Sequence, residues 1–296
     1  MRAVAARPSG RSLALEESTS KRPRRLTLCV DDLGLDVGIL HAAQRLAALG
    51  RIGAVSCMVA APGWRETAKA AAKLASCGVG VGLHLDLTEY TVDPGCCASL
   101  SRWIARSALH RIDTARLRIE IEQQCDRFES AVGRAPAHVD GHEHVHQLPG
   151  VREVLLSVLA SRYRPLPWVR STRAAPAAGG KARLIQALGE RGLRDLCVAQ
   201  GIAQNGRLLG VYGFQGGAEH YLDLLTQWLH WARDGDLLMC HPSVGGHRAA
   251  FAASRRCEFD VLAGPAFDAL VRFSGLELAP FRSHPAEPFE RTERRE

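Results

Sequence analysis

Four of the chain's twelve histidines fall between positions 138 and 146, at His138, His142, His144 and His146, with Asp140 between the first two. All five residues sit at even positions. In an extended strand alternate side chains share a face, so an extended run would form one polar ladder, with Val139 and Val145 turned the other way. Imidazole and carboxylate are ligands that divalent cations accept. A lone histidine is more simply a core residue with one hydrogen bond, or part of a solvated loop. This density, with an acid among the rings, points instead to a metal or catalytic site.

Three more places carry polar residues where a packed strand would not choose them. Asp31-Asp32 ends the apolar run Leu26–Val30, His84 lies inside Val81–Leu87, and His241 follows Leu237–Cys240. Adjacent acids point in different directions from a strand end, so one can bind a cation while its neighbour faces an attacking water. Close carboxylates also split their pKa values, which suits one ligand and one base. The plainer reading is an N-cap for the following helix, and the pair alone does not decide. The glycines at 78, 80 and 82 around His84 let a ligand or another backbone approach closely, but a lone histidine there is more often a core residue. Trp168 and Arg170 at another strand end would serve either a sugar or packing.

The elements that must position these residues alternate in type. Short apolar runs at 26–30, 54–59, 78–87, 138–146, 168–170, 237–242 and 276–281 read as strands. Helical periodicity covers 36–49, 64–76, 113–132, 149–162, 181–190, 218–233 and 261–273. The stretch 88–112 reads as an irregular excursion, and 196–214 as ambiguous with one or two short strands. Strand–helix alternation means a parallel sheet covered by helices. Seven or eight units in this length fit an α/β fold, a distorted (β/α)7–8 TIM-like barrel, better than an open sheet. In a barrel the carboxyl ends of all strands share one rim, so the dispersed acids and histidines would converge on one pocket.

Composition bounds the rest. No apolar run reaches the ~18–20 residues of a membrane-spanning helix. Of the net charge of +7, residues 1–25 hold seven Arg/Lys against two Glu, a net +5, and the tail 283–296 holds three Arg against four Glu, a net −1. The body, 26–282, is left with +3, too little for nucleic-acid binding. The basic arm 1–25 reads as a solvated extension, or as a contact for anionic lipid headgroups, and it has no apolar core for a secretory signal. Nine scattered cysteines without a C-x-x-C spacing read as reduced thiols in a cytoplasmic protein.

Taken together, Val30-Asp31-Asp32-Leu33-Gly34, Gly80–Thr88, Pro136–His146 and His241-Pro242 resemble the YdjC-type carbohydrate deacetylases, which include chitooligosaccharide and hopanoid-associated deacetylases. Arg256 and Glu258 ahead of Leu262 add weaker support. The resemblance implies a distorted barrel with one divalent cation, Mg2+ or Zn2+, held by Asp32, His84 and His142, and Asp31 as general base. His241 and His146 are the candidates for general acid. Asp140, His144, Arg170 and Trp168 would support the ligands or touch substrate. Leu33 stands where the family more often has Phe, and Ser243 where it has Gly after His-Pro. The implied substrate is an N-acetylhexosamine, free or lipid-linked, with the basic arm leaning towards a phosphate-bearing glycolipid at the inner membrane face. The rival readings are another metal hydrolase, of amidohydrolase or phosphoesterase type, and a non-catalytic metal- or carbohydrate-binding protein.

Overall fold

The computed structural model describes residues 23–245 and 251–281. Nearly all of the basic arm and the whole of the C-terminal tail, 283–296, therefore lie outside the described residues. Strand β1 runs Arg24–Leu33, so its first two residues come from the segment that composition assigned to the arm. There follow α1 (Val37–Ala48), β2 (Ala54–Cys57), α2 (Trp64–Ser76), β3 (Gly80–Leu85), α3 (Leu100–Ala108), α4 (Thr114–Val132), β4 (His138–Gly141) and α5 (Val151–Arg162). The second half holds β5 (Trp168–Val169), α6 (Gly180–Ala187), α7 (Glu190–Gln200), β6 (Leu208–Leu209), α8 (Ala218–Trp231), β7 (Asp236–Cys240), α9 (Ala252–Ala263), α10 (Pro265–Phe273) and β8 (Leu276–Leu278).

Local chemistry sets the helix ends. The Asp36 carboxylate accepts the Gly38 N–H and starts α1. Asp113 does the same for α4 through the Arg116 N–H, and Gly133 ends that helix at φ 76°. Two expectations need correcting. The excursion 88–112 contains α3, whose Trp103 is buried and donates its indole N–H to the Leu87 carbonyl at 2.8 Å. The single helix expected at 261–273 is a pair, α9 and α10, broken at Gly264-Pro265 because proline cannot continue a helix. Among the described residues, no helix is long and apolar enough to cross a membrane.

All strand pairings are parallel, in the order β5-β4-β3-β2-β1-β7-β6, with β8 beside the start of β1. The two ends of this path meet where Ala174 bridges Leu208 and the Leu208 N–H bonds the Arg173 carbonyl. The result is an α/β distorted barrel. Outward-facing Leu26, Leu28, Val30, Val55, Val81, Leu83, Val139 and Leu238 pack under the helices. A second, inner cluster holds Cys29, Ala54, Trp168, Leu208, Leu237 and Met239.

That inner face explains Gly82 of β3. A Cβ at Gly82 would run into the His138 imidazole, which stacks on Trp168 at 4.3 Å, and Trp168 in turn packs on Phe281 at 4.4 Å. The lower half of the barrel is thus a plug of rings. The upper half, towards the carboxyl ends of the strands, is polar.

Candidate metal centre and active site

Asp31 and Asp32 are neighbours, yet both reach the same rim. On β1, Cys29 and Asp31 face inward by alternation. The register with β2 then slips, Val30 pairing with Val55 but Leu33 with Cys57, so two residues of β1 oppose one of β2. Such a bulge re-aims a side chain. Asp32 completes the turn at φ 65°, left-handed backbone that a non-glycine residue adopts only when its surroundings enforce it.

The bulge brings Asp32 Oδ1 to 3.4 Å from His84 Nε2 and 3.2 Å from His142 Nδ1. Its other oxygen pairs with Arg255 Nη2 at 2.5 Å. Asp32 Oδ1 is buried, and no hydrogen bond closes on it among the described residues. Ligand atoms that share a cation at about 2.0–2.2 Å lie roughly 3–3.5 Å apart, which is the spacing of Asp32 Oδ1 from each imidazole nitrogen. One carboxylate oxygen and two imidazole nitrogens around an orphaned acceptor therefore fit a divalent cation. Each ring turns its other nitrogen to an acid: His84 Nδ1 lies 2.7 Å from Asp140 Oδ1, and His142 Nε2 lies 3.4 Å from Glu89 Oε1. Burial depresses the His84 pKa, but Asp140 and Asp32 outweigh it and carry it up to about 9. His142 is raised in the same way, burial being overcome by Asp32 and Glu89.

Beneath this group lies a buried ionic core. Arg170 donates to both oxygens of Asp31, at 2.5 and 2.6 Å, and pairs with Asp140 Oδ2 at 2.5 Å. Ser56 bonds the remaining Asp140 oxygen. Burial pushes the Asp31 carboxyl up, and the Arg170 guanidinium more than offsets this, holding it below the usual range. Arg170 is fully buried and Trp168 lies in the ring plug, so neither side chain is placed to touch a sugar at the rim. Of the roles weighed for them, the structure gives Arg170 the bridge between Asp31 and Asp140 and gives Trp168 packing.

The histidine ladder ends sooner than alternation predicts. Residues 138–141 are strand, but 142–147 form a tight turn with Glu143 and His144 at φ 49° and 61°. His138 and Asp140 point into the barrel, and the turn carries His142 to the rim. His146 folds back, fully buried, with Nε2 2.9 Å from the Arg170 carbonyl. That placement removes it from the substrate side and corrects its candidacy as general acid. Burial first, then neighbouring charge, pushes His144 down to about 3, so its ring is neutral. His241 at the end of β7 sits edge-on to Phe214, centroids 5.0 Å apart, and burial lowers it to about 4.

Sequence reasoning missed Glu89 and Arg255. Glu89 lies in a loop whose backbone hangs from Asp86: the carboxylate of Asp86 accepts the N–H groups of Thr88, Glu89 and Tyr90. Buried Glu120 and Gln124 of α4 anchor the same loop. Helix α9 presents Arg255 to Asp32, whereas the expected Arg256 points to solvent and pairs with Asp260. The missed signal was periodicity, since Arg255, Glu258, Phe259 and Leu262 share the 3–4 spacing of a buried face.

Glu258 is fully buried. It accepts the Tyr212 hydroxyl and the His241 backbone N–H, both at 2.6 Å, and so fixes the start of the His241 loop. Burial raises its pKa from 4.5 to about 7 despite those donors. The folded carboxyl releases its proton less readily than the unfolded one, so its contribution to stability falls as pH rises from 4.5 and levels off above about 7. At about 1.4 kcal/mol per unit the loss is on the order of 3 kcal/mol. Melting curves from pH 4 to 8 should be flatter in Glu258→Gln than in the native chain across that window; superimposable pH profiles would refute the assignment.

Comparison with known proteins gives one family and several relatives. The family model described as "YdjC-like protein" matches residues 25–272. A chitooligosaccharide deacetylase of Enterobacter sp. (strain 638) is 24% identical over 265 residues, covering 86% of this chain and 97% of the relative. A carbohydrate deacetylase of Mus musculus is 29% identical over 298 aligned residues, covering 86% and 93%. Among solved structures, a protein of Enterococcus faecalis V583 titled for cellobiose-phosphate cleavage superposes with a TM-score of 0.63 at 18% identity, covering 87% of this chain and 97% of that one. This last likeness is one of fold.

Proposed function

The chain belongs to the YdjC-like family, and on that premise we propose that it is a metal-dependent carbohydrate N-deacetylase, hydrolysing the acetamido group of an N-acetylhexosamine to acetate and a free amine. The observation that carries the reading is the orphaned Asp32 Oδ1 facing His84 Nε2 and His142 Nδ1. The names of the relatives, carbohydrate and chitooligosaccharide deacetylase, support the substrate class.

A divalent cation bound there supplies a water of lowered pKa, from about 15.7 towards 7, and a polarised acetyl carbonyl. The protein's own groups divide the remaining work. Asp140 and Glu89 orient the two imidazoles. Asp31, kept ionised by Arg170, takes the proton from the attacking water. His241 delivers a proton to the departing nitrogen. Its ring is neutral in the free chain, so the proton that Asp31 takes from the water has to pass to His241 before the C–N bond breaks, which leaves Asp31 ionised again and the amine neutral.

One cation, rather than two, suits the charge arrangement. A second would need the space between Asp31, His84 and Asp140 or that between Cys29, His138 and Asp140, and the Arg170 guanidinium already bridges the two carboxylates and lies 3.2 Å from Cys29 Sγ. This disfavours the two-metal hydrolase reading. A cytoplasmic location and a lipid-linked form of the substrate remain part of the proposal. The test is a panel of N-acetylated sugars, free and lipid-linked, assayed for acetate and new amine with the cation counted per chain. Acetate from at least one member with one cation bound is expected. No acetate from any member, or two cations per chain, would overturn it.

A further inference from the structure

Six non-glycine residues among those described have positive φ, and five of them lie at the carboxyl-end rim: Asp32, Glu143, His144, Phe214 and Phe251. Three of the five flank the candidate cation site, and the backbone cost there is explained by the site. The two phenylalanines have no such account. Left-handed backbone is an outlier for a bulky residue, and persists where the surroundings over-determine it. Here two such residues stack on each other, ring centroids 4.9 Å apart and 13° from parallel.

The stack joins the active site at both ends of its own construction. Phe214 packs edge-on against His241, and Lys181 Nζ lies 5.6 Å over the Phe214 ring. Phe251 immediately precedes α9, whose buried face carries Arg255 and Glu258 towards the site. Arg255 reaches Asp32 and Glu258 reaches the His241 backbone, while Phe251 is 56% exposed. Phe214 is half-buried against Tyr212 and His241, and the outer face of Phe251 is the surface the stack offers. Its ring centroid lies no more than about 10 Å from that of His241, a step on the scale of one or two pyranose rings.

We propose that Phe251, backed by Phe214, is a stacking platform for a sugar ring next to the one being deacetylated. The inference rests on the deacetylase reading for the chemistry at the neighbouring ring. The apolar C–H face of a pyranose suits an exposed aromatic face, as ring-on-ring contacts do, and the contact is directional enough to set register. Phe214 holds the Phe251 ring flat against the site, and Lys181 holds Phe214.

The experiment is calorimetric titration of N-acetylglucosamine oligomers of one to four rings into the cation-loaded protein carrying Asp31→Asn to slow turnover, with and without Phe251→Ala. Acetate release by the native chain is measured in parallel. Affinity should rise with ring number when Phe251 is present. Phe251→Ala should weaken the trimer about tenfold and the monomer less than about twofold, and Phe251→Trp should restore the length dependence. An unchanged length dependence in Phe251→Ala overturns the platform. So does affinity gained from an alkyl aglycone in place of added rings, or the absence of oligomer binding altogether. If the length dependence is lost in Phe251→Ala but the native chain releases no acetate, the platform stands and the deacetylase reading falls.

Discussion

Asp31→Asn is expected to lower kcat for acetate release by about 10^2- to 10^4-fold, the usual range for loss of a positioned general base, with cation affinity changed far less. The substitution keeps the shape of the side chain and an acceptor for Arg170, but removes the charge proposed to take the water's proton. The group proposed to hold the cation, Asp32, His84 and His142, is untouched. Arg170 keeps its second anion, Asp140, at 2.5 Å, so the guanidinium is not left unpaired. Steady-state kinetics together with cation titration separate the two effects. A kcat within tenfold of the native value would move the base elsewhere, and an equal collapse of cation binding would make Asp31 part of the ligand cage instead.

Arg170→Met should cost about 3–5 kcal/mol of unfolding free energy, the range for breaking a buried ion pair from one side. The methionine fills much of the volume but leaves Asp31 and Asp140 facing each other inside the barrel, 2% and 0% exposed, without the cation between them. One of the two would have to take up a proton, since close like charges do not both stay ionised in a low-dielectric interior. Urea denaturation at pH 7 measures the loss. Adding Asp31→Asn to Arg170→Met should recover part of it, because contacting residues are not additive. A loss below about 1 kcal/mol, with no recovery in the double variant, would show that the bridge is not what holds the upper barrel together.

The barrel and much of its site were legible from particular residues. Period-two and period-3.6 patterns located most elements, and polar residues at strand ends, Asp32, His84 and the 138–142 run, singled out the groups that the structure brings together. The ladder was over-extended because alternation assumes a strand continues. The turn at 142–147 depends on positive φ at Glu143 and His144, which no side-chain pattern announces. Arg170 is charged, so its sequence position suggested the rim. Only the three-dimensional pairing of two inward acids makes its burial favourable. Glu89 was illegible for a different reason: its loop is shaped by Asp86, Glu120 and Gln124 acting across a gap of up to 38 residues.

Asp32 also meets its guanidinium partner 223 residues further along the chain, and Asp31 meets Arg170 at a separation of 139. Contacts of such span close late, after the loop entropy between them has been met. A chain emerging from the ribosome therefore carries its first acids for most of its synthesis without the cations that discipline them. Hydrolytic competence would arrive all at once, with the arrival of α9, and a polypeptide truncated before Arg255 should be inert however well its early strands have paired.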